Sequence, residues 1–353
     1  MDITDQTVGT TTMNLPDNSI QEFQVSQSSG DTSSDIGNTG QVNIDTRTGT
    51  NGWHGGGFAL YRSARFAANP TLSPVKPPFK ENDDGLDLGG PLWKNKLFFF
   101  VSGERRFDDA ESSVDMPDFP NYTGFFATPG EEKMGSARLD WQVSPSLHIF
   151  DWFNDDAAEL VPPSVVGGTS LQPFQNENES PANEFTVDWS TARFTNAFHY
   201  GHLDMFNHII SVTVAWVPSF PVGIDFNTGE SFGPNLLAPQ HTYQINDEFK
   251  YDGSAYFGNH TLRYGVEFNH IAVDLFAAFF SSAPTISATY SSGLALVKAA
   301  GAYPSNPLNY YADGGVTFGN GLGYFSNLPV HGQTFGGVYN FRKAFYIADT
   351  WQI

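Results

Sequence analysis

The sequence predicts an all-β protein, an antiparallel transmembrane β-barrel. Three observations favour this fold class. Long stretches alternate between apolar and polar residues with a period of two, which is the side-chain period of a β-strand. Short turns alternate with long polar loops along the chain. Helices that could cover the apolar strand faces are scarce. No run of 18 apolar residues is present, so the sequence predicts no membrane-spanning helix.

Composition excludes several functional classes. The chain has 353 residues, of which 40% are hydrophobic and 15% aromatic, so it is not a disordered protein. A formal net charge of −21 argues against binding to nucleic acid or to an anionic membrane surface, because both need clustered Lys and Arg. The absence of cysteine excludes disulfides, thiolate metal sites and cysteine nucleophiles. The first twenty residues have neither the basic region nor the apolar region of a signal peptide.

The first fifty residues differ in character from the rest of the chain. They are rich in Thr, Ser, Asp, Asn and Gly, and only 20–25 (IQEFQV) and 41–46 (QVNIDT) read as short strands. Glycines at 49, 52 and 55–57 then permit a tight turn and a close backbone approach. We therefore place a domain boundary near residue 50, with one domain over 1–50 and a second over 51–353.

The second domain is predicted to consist of about ten antiparallel strands of roughly ten residues each. A hairpin over 89–107 turns at 94–96. Residues 133–144 alternate strictly between the two faces of a strand, a period of two that no helix would produce. The further predicted strands are 147–154, 184–194, 208–217 after a hairpin at 204–207, 241–251, 259–274 and 342–353. The segments 108–132, 155–181, 218–239 and 275–340 are predicted to be loops, the last with a short helix over 292–303. Because the chain ends inside a strand, we expect the barrel to be incomplete.

The two strand faces differ in a way that favours a barrel. A Lys or Arg on the lipid face would cost about 2–4 kcal/mol at the membrane midplane, so the charged faces should look into a wet lumen. This predicts a set of lumen-facing polar residues that make contacts between strands: Glu104, Arg106, Arg138, Asp140, Arg263 and Glu267. A large soluble β-sandwich or propeller is the alternative that this pattern leaves open.

Four segments resemble a known family, in the family's order. They are IQEFQVSQSSGDTSSDIGNTGQVNIDTRTGTNGWHGGGF (20–58), LGGPLWKNKLFFFVSGER (88–105), NHTLRYGVEF (259–268) and FRKAFYIADTWQI (341–353). The chain resembles the Oar-like TonB-dependent receptors of acidobacteria and their relatives, which are outer-membrane barrels that enclose a plug domain. The resemblance implies that 1–50 is the C-terminal part of the plug and that 51–353 is the N-terminal portion of the barrel. It also implies that a signal peptide, a TonB box and most of the plug precede Met1, and that further strands follow Ile353.

The resemblance further implies a function and its partners. The expected function is energy-coupled uptake of an unidentified large solute across the bacterial outer membrane. The expected partners are outer-membrane lipid, a TonB-type energy-transducing protein that binds an upstream segment, and a small-molecule, peptide or glycan ligand. An adhesion or secretion-associated barrel without transport is the alternative function, and a soluble carbohydrate-binding β-protein is a less favoured one.

No catalytic motif is present, so we predict a protein that is not an enzyme and has no cofactor. The sequence DFNTGE places Asp225, Asn227 and Glu230 like part of a calcium loop, although they supply only half of the ligands and a solvated turn is the simpler reading. His199, His202, Asp204 and His208 lie close together in sequence and could include metal ligands, but strand geometry separates some of them, so a polar hairpin is favoured.

Overall fold

A computed structural model describes residues 1–6, 9–26, 41–69, 76–212, 220–280, 282–288, 312–319 and 336–352. Within these ranges the regular structure is almost entirely β. Three single 3-10 turns occur, at Asp17–Ser19, Ala64–Phe66 and Pro120–Tyr122. No helix in the described part of the chain is long and apolar enough to cross a membrane.

Eighteen strands are described. In chain order they are β1 (Ile20–Ser26), β2 (Gln41–Thr46), β3 (His54–Ser63), β4 (Phe79–Trp93), β5 (Leu97–Val114), β6 (Gly124–Ala127), β7 (Gly130–Ser144), β8 (Leu147–Gly167), β9 (Ser170–Glu179), β10 (Ala182–Ser190), β11 (Phe194–Ser211), β12 (Gly223–Phe226), β13 (Ser231–Phe232), β14 (Gln240–Phe257), β15 (His260–Ala277), β16 (Thr285–Ala288), β17 (Ala312–Thr317) and β18 (Gly336–Trp351). Strands β1 and β2 lie where the sequence predicts two short strands, and they form a separate antiparallel hairpin.

The other strands form one sheet, and most of that sheet is a simple antiparallel meander. We call its long strands the wall; they lie in the order β3, β4, β5, β7, β8, β10, β11, β14, β15 and β18. Tight turns at 94–96, 145–146, 191–193 and 258–259 join wall strands at one end, and long connections join them at the other. This arrangement of an antiparallel barrel confirms the predicted fold class.

The two faces of the wall have opposite chemistry. On β14, the side chains of Gln244, Asn246 and Glu248 are buried, whereas the phenyl ring of Phe249 is 46% exposed. The same alternation recurs on other strands, because successive side chains point to opposite sides of a sheet. The outer face carries an exposed apolar band that includes Leu88, Val101, Leu139, Phe153, Phe185, Phe249, Val266, Phe268, Phe345 and Ile347. We call the opposite, polar side of the wall the inner face.

The predicted hairpin at 204–207 is wrong. Strand β11 runs without interruption from Phe194 to Ser211, and the chain reverses instead at 191–193. The polar residues of the sequence AFHYGHLDMFNH resemble a turn, but they pair in register with β10 and then with β9 and β14. Polar side chains suit this part of the strand because it rises beyond the apolar band.

The predicted loops are also too long. Strand β5 continues to Val114, β8 continues to Gly167, and β9 follows where 155–181 was predicted to be a loop. Strands that project beyond a membrane have water on both faces, so they lose the alternation that reveals a strand in sequence. The short helix predicted over 292–303 lies outside the described residues.

The long connections share a small apolar core of their own. It joins side chains from the end of β5, the β5–β7 connection, the start of β9 and the β11–β14 connection: Val114, Met116, Phe119, Leu171, Phe220, Ile224, Phe226 and Phe232. Phe119 and Phe232 pack edge to face with ring centroids 5.1 Å apart. Burial of these rings stabilises the long connections at one end of the wall. We call these packed connections the crown.

Candidate functional site

Residues 1–6 and 9–19, which we call the N-terminal segment, lie along the inner face of the wall. Strand β14 contacts the backbone of this segment through three side chains at alternate positions. The amide of Gln244 donates to the Thr4 carbonyl at 2.8 Å, and the amide of Asn246 donates to the Asp2 carbonyl at 3.1 Å. The carboxylate of Glu248 accepts from the Asp2 N–H at 2.8 Å. Because these groups are buried, the hydrogen bonds satisfy side chains that would otherwise be costly to leave unpaired.

Strand β18 adds a charged contact to the same part of the segment. The guanidinium of Arg342 donates to the carboxylate of Asp2 at 2.8 Å and to the side-chain carbonyl of Gln6 at 2.5 Å. The N–H of Gln6 donates in turn to the side chain of Gln244 at 2.8 Å. The start of the segment is therefore held by two wall strands.

Strand β8 and Ser180, the residue that follows β9, hold the middle of the segment in a similar way. The N–H of Asn14 donates to the carboxylate of Asp156 at 2.7 Å, and its carbonyl accepts from the amide of Asn154 at 3.0 Å. The hydroxyl of Ser180 donates to the carbonyl of Thr12 at 2.7 Å. A small apolar cluster of Met13, Trp152, Ala182 and Leu203 adjoins these contacts.

An Arg106 cluster holds the end of the segment. The guanidinium of Arg106 lies 2.6 Å from Glu104, 3.3 Å from Asp17, 3.4 Å from Glu132 and 3.5 Å from Asp83. Glu104, whose side chain is fully buried, also accepts from the N–H of Asp17 at 2.6 Å. Oxygens of Asp17, Asp83 and Glu104 lie within 4.8 Å of one another. Arg106 supplies the positive charge that such a group of carboxylates requires.

Arg138 and its neighbours hold the β1–β2 hairpin. The guanidinium of Arg138 donates to the Thr46 hydroxyl at 2.9 Å, pairs with Asp140 at 3.0 Å and lies 4.1 Å from the ring centroid of Phe150. The same carboxylate of Asp140 lies 3.2 Å from His148. The end of β2 is therefore anchored to the inner face by an arginine with three kinds of contact.

The remaining predicted lumen residues lie further along the wall. Glu267 is buried on β15 and lies 3.9 Å from the ammonium group of Lys250 on β14. Arg263 lies on the same side of β15 as Glu267 and is in register with Ser254 and Ala348. The structure thus places Glu104 and Arg106 against the N-terminal segment, and Arg138 and Asp140 against the β1–β2 hairpin. Arg263 and Glu267 lie elsewhere on the wall.

A cavity of about 550 Å³ lies between the N-terminal segment, the β1–β2 hairpin and the wall. Its lining combines apolar side chains with several charged groups. The lining residues are Met1, Ile3, Met13, Leu15, Glu22, Gln24, Val42, Asn43, Ile44, Asp45, Thr46, Arg138, Phe150, Trp152, Glu184 and His199. Its size lies within the usual range for small-molecule sites.

The DFNTGE sequence forms the tight connection between β12 and β13 in the crown. The N–H of Phe226 donates to the carbonyl of Glu230 at 2.8 Å, which closes the turn. The buried carboxylate of Glu230 accepts from the Thr228 hydroxyl at 2.9 Å and from the Asp118 N–H at 3.0 Å. These contacts give Glu230 a role in joining two connections, and calcium binding by Asp225, Asn227 and Glu230 stays a prediction.

The histidines that are close in sequence are separated on β11. His202 faces outward and lies 2.8 Å from Asp247, whereas His199 faces inward and lies 3.0 Å from the Thr186 hydroxyl. His208 lies further along the strand against His241, with ring centroids 4.1 Å apart. Asp204 lies in register with Ile245. The strand therefore does not bring the four residues 199, 202, 204 and 208 to one point.

Charge alone did not reveal several residues that hold the segment. Four of them are uncharged and do not belong to the predicted set of lumen-facing residues: Gln244, Asn246, Asn154 and Ser180. The available signal was the run of polar side chains at alternate positions 244, 246 and 248. Side chains at alternate positions of a strand share one face, so these three can contact a single extended backbone.

Comparisons with known proteins agree with this architecture. A family profile described as an outer membrane beta barrel domain matches residues 45–116. The outer membrane transporter YddB from Escherichia coli is similar in structure, with a TM-score of 0.57 and 11% identity over 82% of this chain and 40% of that one. The siderophore receptor PirA from Acinetobacter baumannii has a TM-score of 0.52 and 16% identity, over 90% of this chain and 39% of that one. No curated protein matches the sequence.

This chain spans about two fifths of the length of the two solved structures that it matches. At such low sequence identity the likeness is one of fold. The matching barrel domain and the outward apolar band place the chain in the bacterial outer membrane.

Proposed function

We propose that the chain belongs to an outer-membrane receptor that takes up a large solute by energy-coupled transport, with 1–50 as the end of its plug domain. The observation that carries this proposal is the position of the N-terminal segment. Polar side chains of β5, β8, β14 and β18 hold it against the inner face of a wall whose outer face is apolar. In a barrel, the inner face surrounds the path that a solute would follow.

The chemistry of the contact supports movement of the segment. Most of its bonds are hydrogen bonds and ion pairs with side chains, each worth roughly 0.5–1.5 kcal/mol net and up to about 3 kcal/mol when a charge takes part. Water can replace such bonds when the segment leaves the wall. A pulling force delivered by a TonB-type protein through a more N-terminal part of the same plug would act on these contacts.

The cavity beside the segment supports a ligand class. Apolar side chains line one part, and Arg138, Glu184 and His199 lie on the wall side. Such a lining suits a solute that has both an apolar surface and several hydrogen-bonding groups, as small chelates, peptides and glycans do. The proposed activity is binding and transport and involves no chemical reaction.

Uptake measurements test the proposal. A strain that carries the gene and a matched deletion strain would be compared for accumulation of labelled ferric chelates, cobalamin, peptides and oligosaccharides, with and without a protonophore. We expect one of these solutes to accumulate only in the parent strain and only while the inner membrane is energised. Equal accumulation in both strains for every solute, together with loss of surface attachment in the deletion strain, would contradict transport and favour an adhesion protein.

A further inference from the structure

The tight turns of the wall differ in charge from the chain as a whole. Their sequences are KNK at 94–96, PS at 145–146, TAR at 191–193 and GN at 258–259. These turns contain cationic side chains and no carboxylate, although the formal net charge of the chain is −21. The turn at 94–96, which carries two lysines, is the most strongly charged of the four.

The turn at 94–96 is held in one conformation by hydrogen bonds. The side-chain amide of Asn51 donates to the side-chain carbonyl of Asn95 at 2.7 Å, and the N–H of Asn95 donates to the side-chain carbonyl of Asn51 at 2.7 Å. The N–H of Lys96 donates to the carbonyl of Trp93 at 3.0 Å. Asn95 has a φ of 62°, which asparagine tolerates better than most residues. The two lysines that flank Asn95 are therefore presented from a fixed backbone.

The lysines of this turn form no ion pair within the described part of the chain. Lys94 has no carboxylate neighbour there, and the ammonium group of Lys96 contacts only an aromatic ring. On the outer face at the crown end, by contrast, Lys80 pairs with Asp109 at 3.5 Å and Lys133 pairs with Glu131 at 2.9 Å. The positive charge of the turn is thus available to an anion that does not belong to the described residues.

The turn lies where the lipid-facing surface of the wall ends. The ammonium group of Lys96 lies 4.5 Å from the ring centroid of Trp93, and the edge of Trp53 packs on Phe99 with centroids 5.5 Å apart. Exposed indole rings recur around this end of the wall, at Trp53, Trp93, Trp141, Trp189 and Trp351. Tryptophan is enriched where a membrane meets water, so the ammonium groups lie at the level of the lipid headgroups.

We propose that Lys94, Lys96 and Trp93 form a binding site for the headgroup of an anionic glycerophospholipid, with phosphatidylglycerol as the type. The ammonium groups would pair with the phosphate, and the indole ring would pack where the headgroup meets the acyl chains. Tight turns of outer-membrane barrels face the periplasm, so the lipid would come from the inner leaflet of the outer membrane. The net charge of −21 argues against an anionic surface for the whole chain, but it does not describe this turn. The site does not depend on the proposed uptake of a solute.

Quenching by brominated lipids tests the site on the full chain refolded in vesicles. A bimane label is attached to Leu92→Cys, since Leu92 is 59% exposed beside the turn and the chain has no native cysteine. The vesicles contain phosphatidylglycerol and phosphatidylcholine, with bromine on one lipid or on the other. The two quenching curves give the relative binding constant of the two lipids beside the turn. The same label at Ile347→Cys, in the apolar band of β18, is the control for position.

We expect phosphatidylglycerol to bind beside the turn at least about fivefold more tightly than phosphatidylcholine, because each lysine near an anionic lipid favours the contact by about this factor. The two lipids should bind equally at position 347. Replacing both Lys94 and Lys96 by glutamine should remove the preference at position 92, and replacing both by arginine should retain it, because the charge remains.

Lys80→Gln and Lys133→Gln are the matched controls, because each removes the same charge from the crown end and should leave the preference unchanged. The proposal is overturned if the wild type shows no preference, if the double glutamine variant keeps it, or if Lys80→Gln reduces it equally. A heat-dependent mobility shift in gel electrophoresis, the same for all variants, shows that each barrel is folded.

Discussion

Replacing Gly49 by alanine should disrupt the close packing of the chain that leads from β2 into the wall. A methyl group at this position would lie 2.2 Å from the carbonyl oxygen of Phe99 and 2.8 Å from that of Gly90. Both contacts are with backbone, which cannot rotate away as a side chain can, so β4 or β5 would have to shift. We expect the free energy of unfolding to fall by about 3 kcal/mol or more, measured as a lower urea midpoint in micelles.

The matched control is Gly52→Ala, three residues along the same connection. No atom lies within 4 Å of a methyl group placed on Gly52. This substitution should change the stability by about 0.5 kcal/mol or less. Equal urea midpoints for the two variants would show that the close approach at Gly49 is not required.

Replacing Arg106 by glutamine should release the end of the N-terminal segment from the wall. The substitution removes the guanidinium that Asp17, Asp83, Glu104 and Glu132 share, and it leaves the buried Glu104 beside other carboxylates. Arg106 is partly exposed, so we expect a loss of about 1–3 kcal/mol rather than the larger value for a fully buried pair. Faster hydrogen exchange at the Asp17 N–H, which donates to Glu104, would report the release directly.

Arg105→Gln is the control for this prediction, because it removes the same charge from the next residue. Arg105 faces outward, is 58% exposed and pairs with Glu131 at 2.6 Å. Exposed ion pairs contribute about 0–1 kcal/mol, so stability and exchange at Asp17 should remain close to those of the wild type. If Arg105→Gln and Arg106→Gln have the same effect on exchange, the Arg106 cluster does not hold the segment.

The sequence was sufficient to predict the lipid-spanning part of the wall. A strand between lipid and a polar interior must alternate, so the outward-facing Leu97, Phe99 and Val101 of β5 are followed by polar inner-face residues at 102, 104 and 106. The alternation of β7 and β15 was equally clear, and the predicted tight turns at 94–96 and 145–146 lie where the structure has them. The fold class followed from these strands.

The extended ends of the strands could not be predicted in the same way. Residues such as Asp108, Asp109 and Glu111 on β5 are polar on both faces, because that part of the strand lies beyond the apolar band. Alternation disappears there, and the residues resemble an acidic loop. Only the pairing with β4 and β6 shows that they are a strand.

The contacts of the N-terminal segment could not be predicted from the sequence either. Arg106 was predicted to face the lumen, but three of its four carboxylate neighbours come from other parts of the chain. Such a cluster depends on the register of β4, β5 and β7 together with the path of residues 14–19. No local pattern carries that information.

The separation of lipid from a polar interior by the wall is tested most directly by the accessibility of single cysteines along β15 in lipid vesicles. The chain has no native cysteine, so each position from Leu262 to Asn269 can carry one spin label without interference. We expect alternation, with labels at 262, 264, 266 and 268 accessible to oxygen dissolved in lipid and labels at 263, 265, 267 and 269 shielded from it. Uniform access of a water-soluble relaxation agent to all eight positions would contradict a wall that separates lipid from a polar interior.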